Sequence, residues 1–364
     1  MTYSKALNII LNKQSLGIKP GLERILSLLD TMDNPQDKIK IIHIAGTNGK
    51  GTVAATIANA LKNEGYKTGL FSSPWIDDYR EQITINNQYI SKKDFADYTE
   101  KYCDNDCTEF ELLTAIMYKY FADKKVDYAV IECGMGGLGD STNAEKKNIS
   151  VITSVSIDHT AFLGNTLEEI ARQKSGIIRD DCPCVLYPNP KCEEVFLSKA
   201  PNLIKVSEQG SFEKNNLATV NAVLDILGAE NVNETVKLPA RQEMIGNIML
   251  DGAHNVDGAK ALASVLNNKK VTAVIGMMRD KDIDGYLSII APFCDRIITV
   301  SPNNPRAISA EELKNISKKY CKKVSSAYSA ADAINRAKEY NNFHLVCGSF
   351  YLAREVRNLL LETL

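Results

Sequence analysis

The stretch Ile41-Ile-His-Ile-Ala-Gly-Thr-Asn-Gly-Lys-Gly-Thr52 decides the fold. An apolar run passes into a glycine-rich turn and then into helix-forming sequence over 53–63, which reads as buried strand, turn and helix start. Gly46, Gly49 and Gly51 let the backbone curl so that successive N–H groups point into one concavity. Lys50 adds a positive charge there, and Thr52 offers a hydroxyl at the first helical turn. A helix N-terminus behind such a turn is suited to an anion, because its first N–H groups lack intrahelical partners and the dipole favours negative charge. The pattern G-x-x-x-x-G-K-[ST] is met except that Gly51 separates Lys50 from Thr52. A plain strand–helix turn would leave both the lysine and the threonine without a role. The turn is expected to bind phosphate.

Working outward, the spacing of Leu22, Ile25, Leu26 and Leu29 predicts helix before this stretch, interrupted by Gly17 and Pro20-Gly21. After it, strands are expected over 68–72, 126–131 and 150–155, with a small hairpin over 82–85 and 88–90 around Asn86-Asn87. Ser91-Lys-Lys-Asp94, Thr108-Glu-Phe-Glu111 and Thr166-Leu-Glu-Glu169 are capping-box patterns, each opening a helix. The helix after Thr108 carries Phe110, Leu113, Met117 and Phe121 on one face, expected to be core. The helix after Thr166 runs to Lys174, with Gly176 placed as its C-terminal glycine. Strands alternating with helices imply βαβ units and a mostly parallel sheet, whose ligands gather beyond the carboxyl ends of the strands. The phosphate turn, Ser73, Glu132 and His159 all fall at such ends.

Composition shifts after Pro188. The stretch 189–214 is polar and reads as irregular, followed by a helix over 217–227 and a linker containing Pro239-Ala-Arg-Gln-Glu243. A second α/β unit follows, with strands over 247–250, 271–276, 296–300 and 345–347. In it the turn Asp251-Gly-Ala-His-Asn-Val-Asp-Gly258 opens a helix over 259–266. A boundary near residue 240 therefore separates a domain 1–240 from a domain 241–364. G-x-G-x-x-G spacing is absent from the second turn, which disfavours hydride chemistry.

The bulk properties exclude other classes. With 364 residues, 44% hydrophobic and 24% charged, this is an ordinary globular composition, and a net charge of −2 gives no footprint for nucleic acid or a membrane surface. No apolar run reaches the length of a membrane span. The nine cysteines are scattered. Cys182, Cys184 and Cys192 lie close in sequence but match no zinc spacing and have no histidine near. A reducing, cytoplasmic compartment is expected.

Glu132, an acid ending an apolar strand in a chain with a phosphate turn, is placed to hold Mg²⁺ on nucleotide phosphates. His159 alone is a weak signal. For Lys174, residue chemistry by itself favours a cation complementing a helix C-terminus. Asp251 and His254 read either as a plain capped turn or as a polar pair reaching toward a nucleotide held by the first domain.

Together these motifs resemble the folylpolyglutamate synthase and dihydrofolate synthase family of the Mur ligase superfamily. The matches are Ile44–Thr52, Ser73-Pro74, Glu81-Gln-Ile-Thr-Ile-Asn86, Glu132-Cys-Gly-Met-Gly-Gly137, Asp140-Ser-Thr-Asn143, Asp158-His159 and Leu163-Gly-Asn-Thr166. They continue with Arg172-Gln-Lys-Ser-Gly-Ile177, Asp251-Gly-Ala-His-Asn255, Asp280-Lys-Asp282 and Gly348-Ser-Phe-Tyr-Leu352. The resemblance implies an α/β fold, with a P-loop central domain of mostly parallel sheet and a smaller Rossmann-like C-terminal domain. It implies ATP-dependent formation of an amide between a folate or pteroate carboxylate and L-glutamate, through an acyl phosphate. Thr47, Asn48, Gly49, Lys50, Gly51 and Thr52 would then hold the triphosphate. Thr52, Ser73, Glu132 and His159 would surround magnesium, at two sites. Lys174 would be a carbamate serving the second metal, which replaces the dipole reading. Asn216, Arg241, Asp251 and His254 would hold the nucleotide, with Lys50, Lys174, Asp251 and His254 as the catalytic set. Thr108, Glu109, Phe110, Glu111, Gly139, Asp140 and Ser141 would contact the pterin side. The implied partners are small molecules only, with no nucleic acid or membrane, and a monomer is expected, with Lys50 and Asp251 facing one space.

The sequence also departs from the family. Trp75 stands where a histidine follows Ser-Pro, Leu138 where an arginine adjoins the glycine run, Phe212-Glu213 where His-Gln precedes Asn216, and Ala240 where Pro-Gly-Arg is usual. The stretch between Pro188 and Gly210 is short. Two alternatives stay open: a Mur-type ligase for another carboxylate, and a nucleotide-binding relative that has lost ligation.

Overall fold

The structure, a computed structural model, describes every residue except Ile18, Lys147, Pro190, Pro201, Asn202, Asn268, Thr363 and Leu364, and the side chain of Asn148. The chain divides into two compact units, Met1–Ser156 with Thr160–Val236, and Ile157–His159 with Lys237–Leu364.

In the first unit the strands are β1 (Ile41–Ala45), β2 (Thr68–Phe71), β3 (Ile83–Ile85), β4 (Gln88–Tyr89), β5 (Tyr128–Glu132), β6 (Asn148–Ile152), β7 (Cys184–Leu186) and β8 (Leu203–Lys205). They form one sheet in the order β4-β3-β2-β5-β1-β6-β7-β8, parallel from β2 to β8 and antiparallel where the β3–β4 hairpin adds its edge. The helices are α1 (Tyr3–Asn12), α2 (Glu23–Asp30), α3 (Lys50–Asn63), α4 (Lys92–Tyr102), α5 (Glu109–Asp123), α6 (Thr160–Leu163), α7 (Leu167–Lys174), α8 (Glu193–Leu197) and α9 (Phe212–Leu227). β1 is buried along its whole length, as a central parallel strand covered on both faces must be. Ile42 and Ile44 pack with Val53, Ile57 and Leu61 of α3 and Val220 and Leu224 of α9. Ile41, on the other face, joins Leu112, Ile116 and Phe121 of α5 with Ile25 and Leu29 of α2.

Thr108 and Thr166 each close a full capping box, so the sequence signal for α5 and α7 is met by reciprocal side-chain bonds. Gly176 does not act as a C-terminal cap. The chain continues from α7 into a 3₁₀ turn, Ser175–Ile177, and the glycine is required because a Cβ there would lie 2.4 Å from Leu138 Cα. The stretch 189–214, expected to be irregular, holds α8, β8 and the first residues of α9. Buried Cys192 and Phe196 pack with Ile177 and Leu186, and such short elements show too few periods to be read in sequence.

The second unit contains β9 (Glu243–Ile245), β10 (Ile248–Leu250), β11 (Val271–Ile275), β12 (Cys294–Thr299), β13 (Val324–Ser326) and β14 (Phe343–Cys347). Their order is β13-β12-β11-β14-β10-β9, parallel except for β9. The β9–β10 hairpin turns at Gly246-Asn247, with Gly246 at φ 59°. That dipeptide is a hairpin signal the strand pattern alone does not use. Helices α10 (Val256–Leu266), α11 (Ile283–Ile290), α12 (Ala310–Ser317), α13 (Ala330–Lys338) and α14 (Phe350–Leu361) complete the unit. Among the described residues all nine cysteines are free, and no helix is long and apolar enough to cross a membrane.

Candidate functional site

The phosphate turn is pinned from the end of β6. Thr47 N donates to Ser154 O at 2.6 Å and its hydroxyl to Ser156 O at 3.1 Å, while Asn48 N donates to Ser154 Oγ at 3.3 Å. Sequence reasoning missed Thr153 and Ser154, although small hydroxyl residues directly after a strand were the available signal. A Cβ on Gly46 would lie 1.8 Å from Thr153 Oγ1, so only glycine lets the two loops meet. Gly49 is the N-cap of α3 at φ 88° and supplies no side-chain cap. Its would-be Cβ is 2.6 Å from Asn216 Oδ1 on α9, which brings that predicted residue to the turn.

Lys50 Nζ donates to Thr47 O at 3.2 Å and lies 3.9 Å from Glu132 Oε1. Glu132 is buried at the end of β5, and its other oxygen accepts from Ser73 N at 3.2 Å. Lys174 is 2% exposed and its Nζ donates to Gly46 O at 2.7 Å. A solvated cation complementing a helix end is therefore excluded; the lysine is tied to the first carbonyl of the turn. Thr52 sits in the first turn of α3, its carbonyl accepting from Thr56 Oγ1 at 2.7 Å. The first unit thus brings together the turn, Ser73, Glu132, Lys174 and Asn216, whereas His159 counts with the second unit. Among the described residues no group of three or more His, Cys, Asp or Glu is placed to hold a metal ion, and this includes Cys182, Cys184 and Cys192. A single carboxylate with hydroxyls beside a phosphate turn fits Mg²⁺, which keeps waters and takes phosphate oxygens from a nucleotide.

The residues assigned to the pterin side also lie in the first unit. Glu111 is engaged twice, accepting from Thr108 N at 2.7 Å and pairing with Arg24 at 2.9 Å. Glu109 accepts from the Tyr79 hydroxyl, and burial raises its pKa against that bond. Phe110, expected to be core, is half-buried and lies over Gly134, where a Cβ would meet its ring at 2.6 Å. Gly139 O accepts from Gly21 N at 3.2 Å, so Gly21 and Arg24, just before and within the first turn of α2, touch the two halves of this group. Asp140 accepts from Met135 N at 2.7 Å and Thr142 N at 3.0 Å, and Ser141 is buried beside it.

In the second unit Asp251 follows β10. Its carboxylate accepts from Ala253 N at 2.7 Å and Gln242 N at 3.0 Å, and burial raises its pKa. It shapes the turn from within. Phe350 organises the neighbouring side chains: the Arg241 guanidinium lies 3.8 Å from its ring centroid, and His254 meets it edge-on at 5.7 Å. A Cβ on Gly252 would be 1.9 Å from that ring. His254 Nδ1 lies 2.9 Å from Gly252 O, and Nε2 3.5 Å from Asp158 Oδ2. Asp158 is also held by Lys281 at 2.5 Å and Asn255 at 2.9 Å. Burial opposes its charge, but His254, Lys281 and His159 hold its carboxyl well below the usual range. Lys281, inside the quoted Asp280-Lys-Asp282 motif, received no role from the sequence, and only the fold shows its partner.

Comparison with known proteins agrees with this architecture. The Mur ligase middle domain matches residues 44–266, and the Mur ligase glutamate ligase domain matches residues 240–350. The chain is 31% identical to the dihydrofolate synthase/folylpolyglutamate synthase of Bacillus subtilis (strain 168), over 98% of this chain and 99% of that protein. It is also 31% identical to a probable dihydrofolate synthetase of Schizosaccharomyces pombe, over 92% and 97%. The alignment with the Bacillus protein spans 428 positions against 364 residues here, so that relative carries insertions. Among solved structures, E. coli FolC in complex with DHPP and ADP superposes with a TM-score of 0.90 at 27% identity, covering 100% of this chain and 98% of that one. The Yersinia pestis bifunctional folylpolyglutamate synthase/dihydrofolate synthase complexed with AMPPNP and Mn ion gives a TM-score of 0.86 at 28% identity, covering 99% and 98%. The turn tied to Glu132 and Lys174, the two α/β units and full-length similarity together mean that this chain belongs to the folylpolyglutamate/dihydrofolate synthase family of Mur ligases.

Proposed function

We propose that this ATP-dependent ligase joins L-glutamate to a folate or pteroate carboxylate. A carboxylate oxygen attacks the γ-phosphorus of ATP and ADP leaves. The glutamate amine, having lost a proton, then attacks the acyl carbon of the acyl phosphate, and inorganic phosphate leaves as the amide forms. The observation that carries this is the grouping of Lys50, Glu132 and Ser73 at the end of the pinned turn. In this reading Thr47, Asn48, Gly49, Lys50, Gly51 and Thr52 cradle the triphosphate, with Asn216 beside Gly49. Arg241, Asp251 and His254 complete the nucleotide contacts. Thr52, Ser73, Glu132, His159 and a carbamylated Lys174 would hold two Mg²⁺ ions, and the metal would supply charge neutralisation for the transferred phosphoryl group. The Lys174 ammonium first loses a proton, and the neutral amine then takes up CO₂ with release of a second proton, which leaves a carbamate anion compatible with a metal. Thr108, Glu109, Phe110, Glu111, Gly139, Asp140 and Ser141 receive the ring end of the acid. The enzyme acts as a cytoplasmic monomer on small molecules.

Leu138, 54% exposed where the family carries an arginine, supports a second reading in which the acid differs from a folate. ADP release measured with L-glutamate and a panel of acids, with product masses, tests both. Release with dihydropteroate or a reduced folate, and a product one glutamate heavier, is expected. Release only with another acid selects the second reading, and no release with any acid means that ligation has been lost.

A further inference from the structure

His43, in the middle of β1 and shortly before the phosphate turn, is fully buried. Its Nε2 lies 2.8 Å from Thr142 Oγ1, and its Nδ1 lies 3.2 Å from Glu145 Oε1. Thr142 Oγ1 is in turn 2.5 Å from Asp140 Oδ1. A hydroxyl has one proton to give and an ionised carboxylate can only accept, so Thr142 donates to Asp140 and must accept from the ring. Glu145, paired with Arg179 at 3.3 Å, likewise only accepts. Both ring nitrogens therefore donate, which makes His43 an imidazolium. The protons are accounted for along a single chain from Arg179 through Glu145, His43 and Thr142 to Asp140.

The surroundings hold that chain in place. Cys133 Sγ lies 3.2 Å from Nε2, and the Tyr118 hydroxyl on α5 donates to Thr142 O at 2.6 Å. Arg179 also donates to Asn143 Oδ1 at 2.7 Å, and Asn143 Nδ2 donates to Leu138 O at 3.2 Å and Gly176 O at 3.1 Å. The glycine run 134–139 is thereby held at both ends, by Asp140 at Met135 and by Asn143 at Leu138.

We propose that His43 and Thr142 are positioning residues for the acid substrate, fixing the Asp140 carboxylate and the glycine run through a buried hydrogen-bond chain anchored in β1. This rests on the assignment of Gly139–Ser141 to the ring end of that substrate. Neither residue touches the substrate; each acts through Asp140.

The test is steady-state kinetics on the full chain, with dihydropteroate and ATP varied separately. Thr142→Val removes the hydroxyl link and keeps the side-chain shape. Its KM for the acid should rise at least about tenfold, the equivalent of one lost hydrogen bond to a charged group, while KM for ATP stays within about twofold. Thr142→Ser, which retains the hydroxyl, should return the acid KM to near its original value. A lower melting temperature with both KM values unchanged would make the chain merely structural and overturn the proposal. Asp140→Asn is measured in parallel. An unchanged acid KM there removes the site assignment itself, whereas a raised KM there with none in Thr142→Val overturns the present inference alone. Nitrogen NMR of the unsubstituted protein, which has four histidines, gives an independent reading. A buried, slowly exchanging ring with two N–H signals is expected, and a single N–H on that ring would overturn the chain whether or not any variant folds.

Discussion

Two strand–turn–helix junctions do opposite things with similar sequence. At Ala45–Lys50 the N-cap is Gly49 in the left-handed region, with no side-chain cap, and loops from elsewhere hold the turn. At Asp251–Val256 the N-cap is Asn255, whose side chain accepts from Gly258 N at 2.8 Å, and Asp251 holds the turn from inside. A helix end whose amides lack a side-chain cap is suited to an external anion, while a capped one has already satisfied part of its donor set. The first junction therefore presents backbone, and the second presents side chains, His254 and Arg241 packed on Phe350. Glycine content does not separate the two; the source of the cap does.

The sharpest way to break this contrast is Glu132→Gln. If the first junction serves a metal–nucleotide complex, removing the charge at constant size should lower kcat on the order of a hundredfold or more, with an unchanged melting curve. Near-normal turnover would make the Lys50–Glu132 pair structural. Lys174→Ala should lose activity comparably and recover part of it with a short carboxylic acid, whereas Lys174→Arg should not, because arginine stays charged and fills the site. Normal turnover of Lys174→Ala in CO₂-depleted buffer would remove the carbamate.

The strands feeding the two turns also differ. β1 carries a titratable His43, and β10 is the apolar run Ile248–Leu250. Burial opposes charge on His43, but Cys133 and Glu145 lift it to about 10. A histidine raised in the folded state contributes stability that is fully present below its unfolded pKa of about 6.5 and is lost as pH rises through the folded value. Amide hydrogen exchange should therefore show β1 losing protection toward pH 10 while β10 does not. Equal loss in both strands would assign the effect to something other than His43.

Smaller effects separate the glycines. Gly252→Ala drives a Cβ to within 1.9 Å of a Phe350 ring carbon and should destabilise the second unit by about 1–3 kcal/mol in denaturant unfolding. Gly49→Ala meets Asn216 at 2.6 Å at φ 88°, and a left-handed alanine costs about 1–2 kcal/mol. Its diagnostic consequence is weaker ADP binding by calorimetry at temperatures where the variant remains folded, and unchanged ADP binding there would remove the first junction as the phosphate site. Smallest is Asn255→Ala, where loss of the cap should cost about 1 kcal/mol. An effect well above that would mean that its bond to Asp158 dominates.

Much of this was legible in the sequence, for a local reason. The phosphate turn, the capping boxes at Thr108 and Thr166, the alternation of strands and helices and the strand-end position of Glu132 are all set by neighbours within a few residues. Propensity, period and cap chemistry act at that range. What tertiary structure alone decided involves partners distant in sequence. Lys174, exposed by a helix-end argument, is buried against Gly46. Gly176, a cap by spacing, is a packing glycine against Leu138. The polar stretch 189–214 supplies the edge strand of the first sheet. Thr153 and Ser154 pin the turn, and His43 and Asp158 anchor buried charge networks, through partners that lie far away in sequence. Sequence periodicity reports which side of an element is apolar, whereas the partner of a buried charge depends on which distant element the fold brings within hydrogen-bond reach.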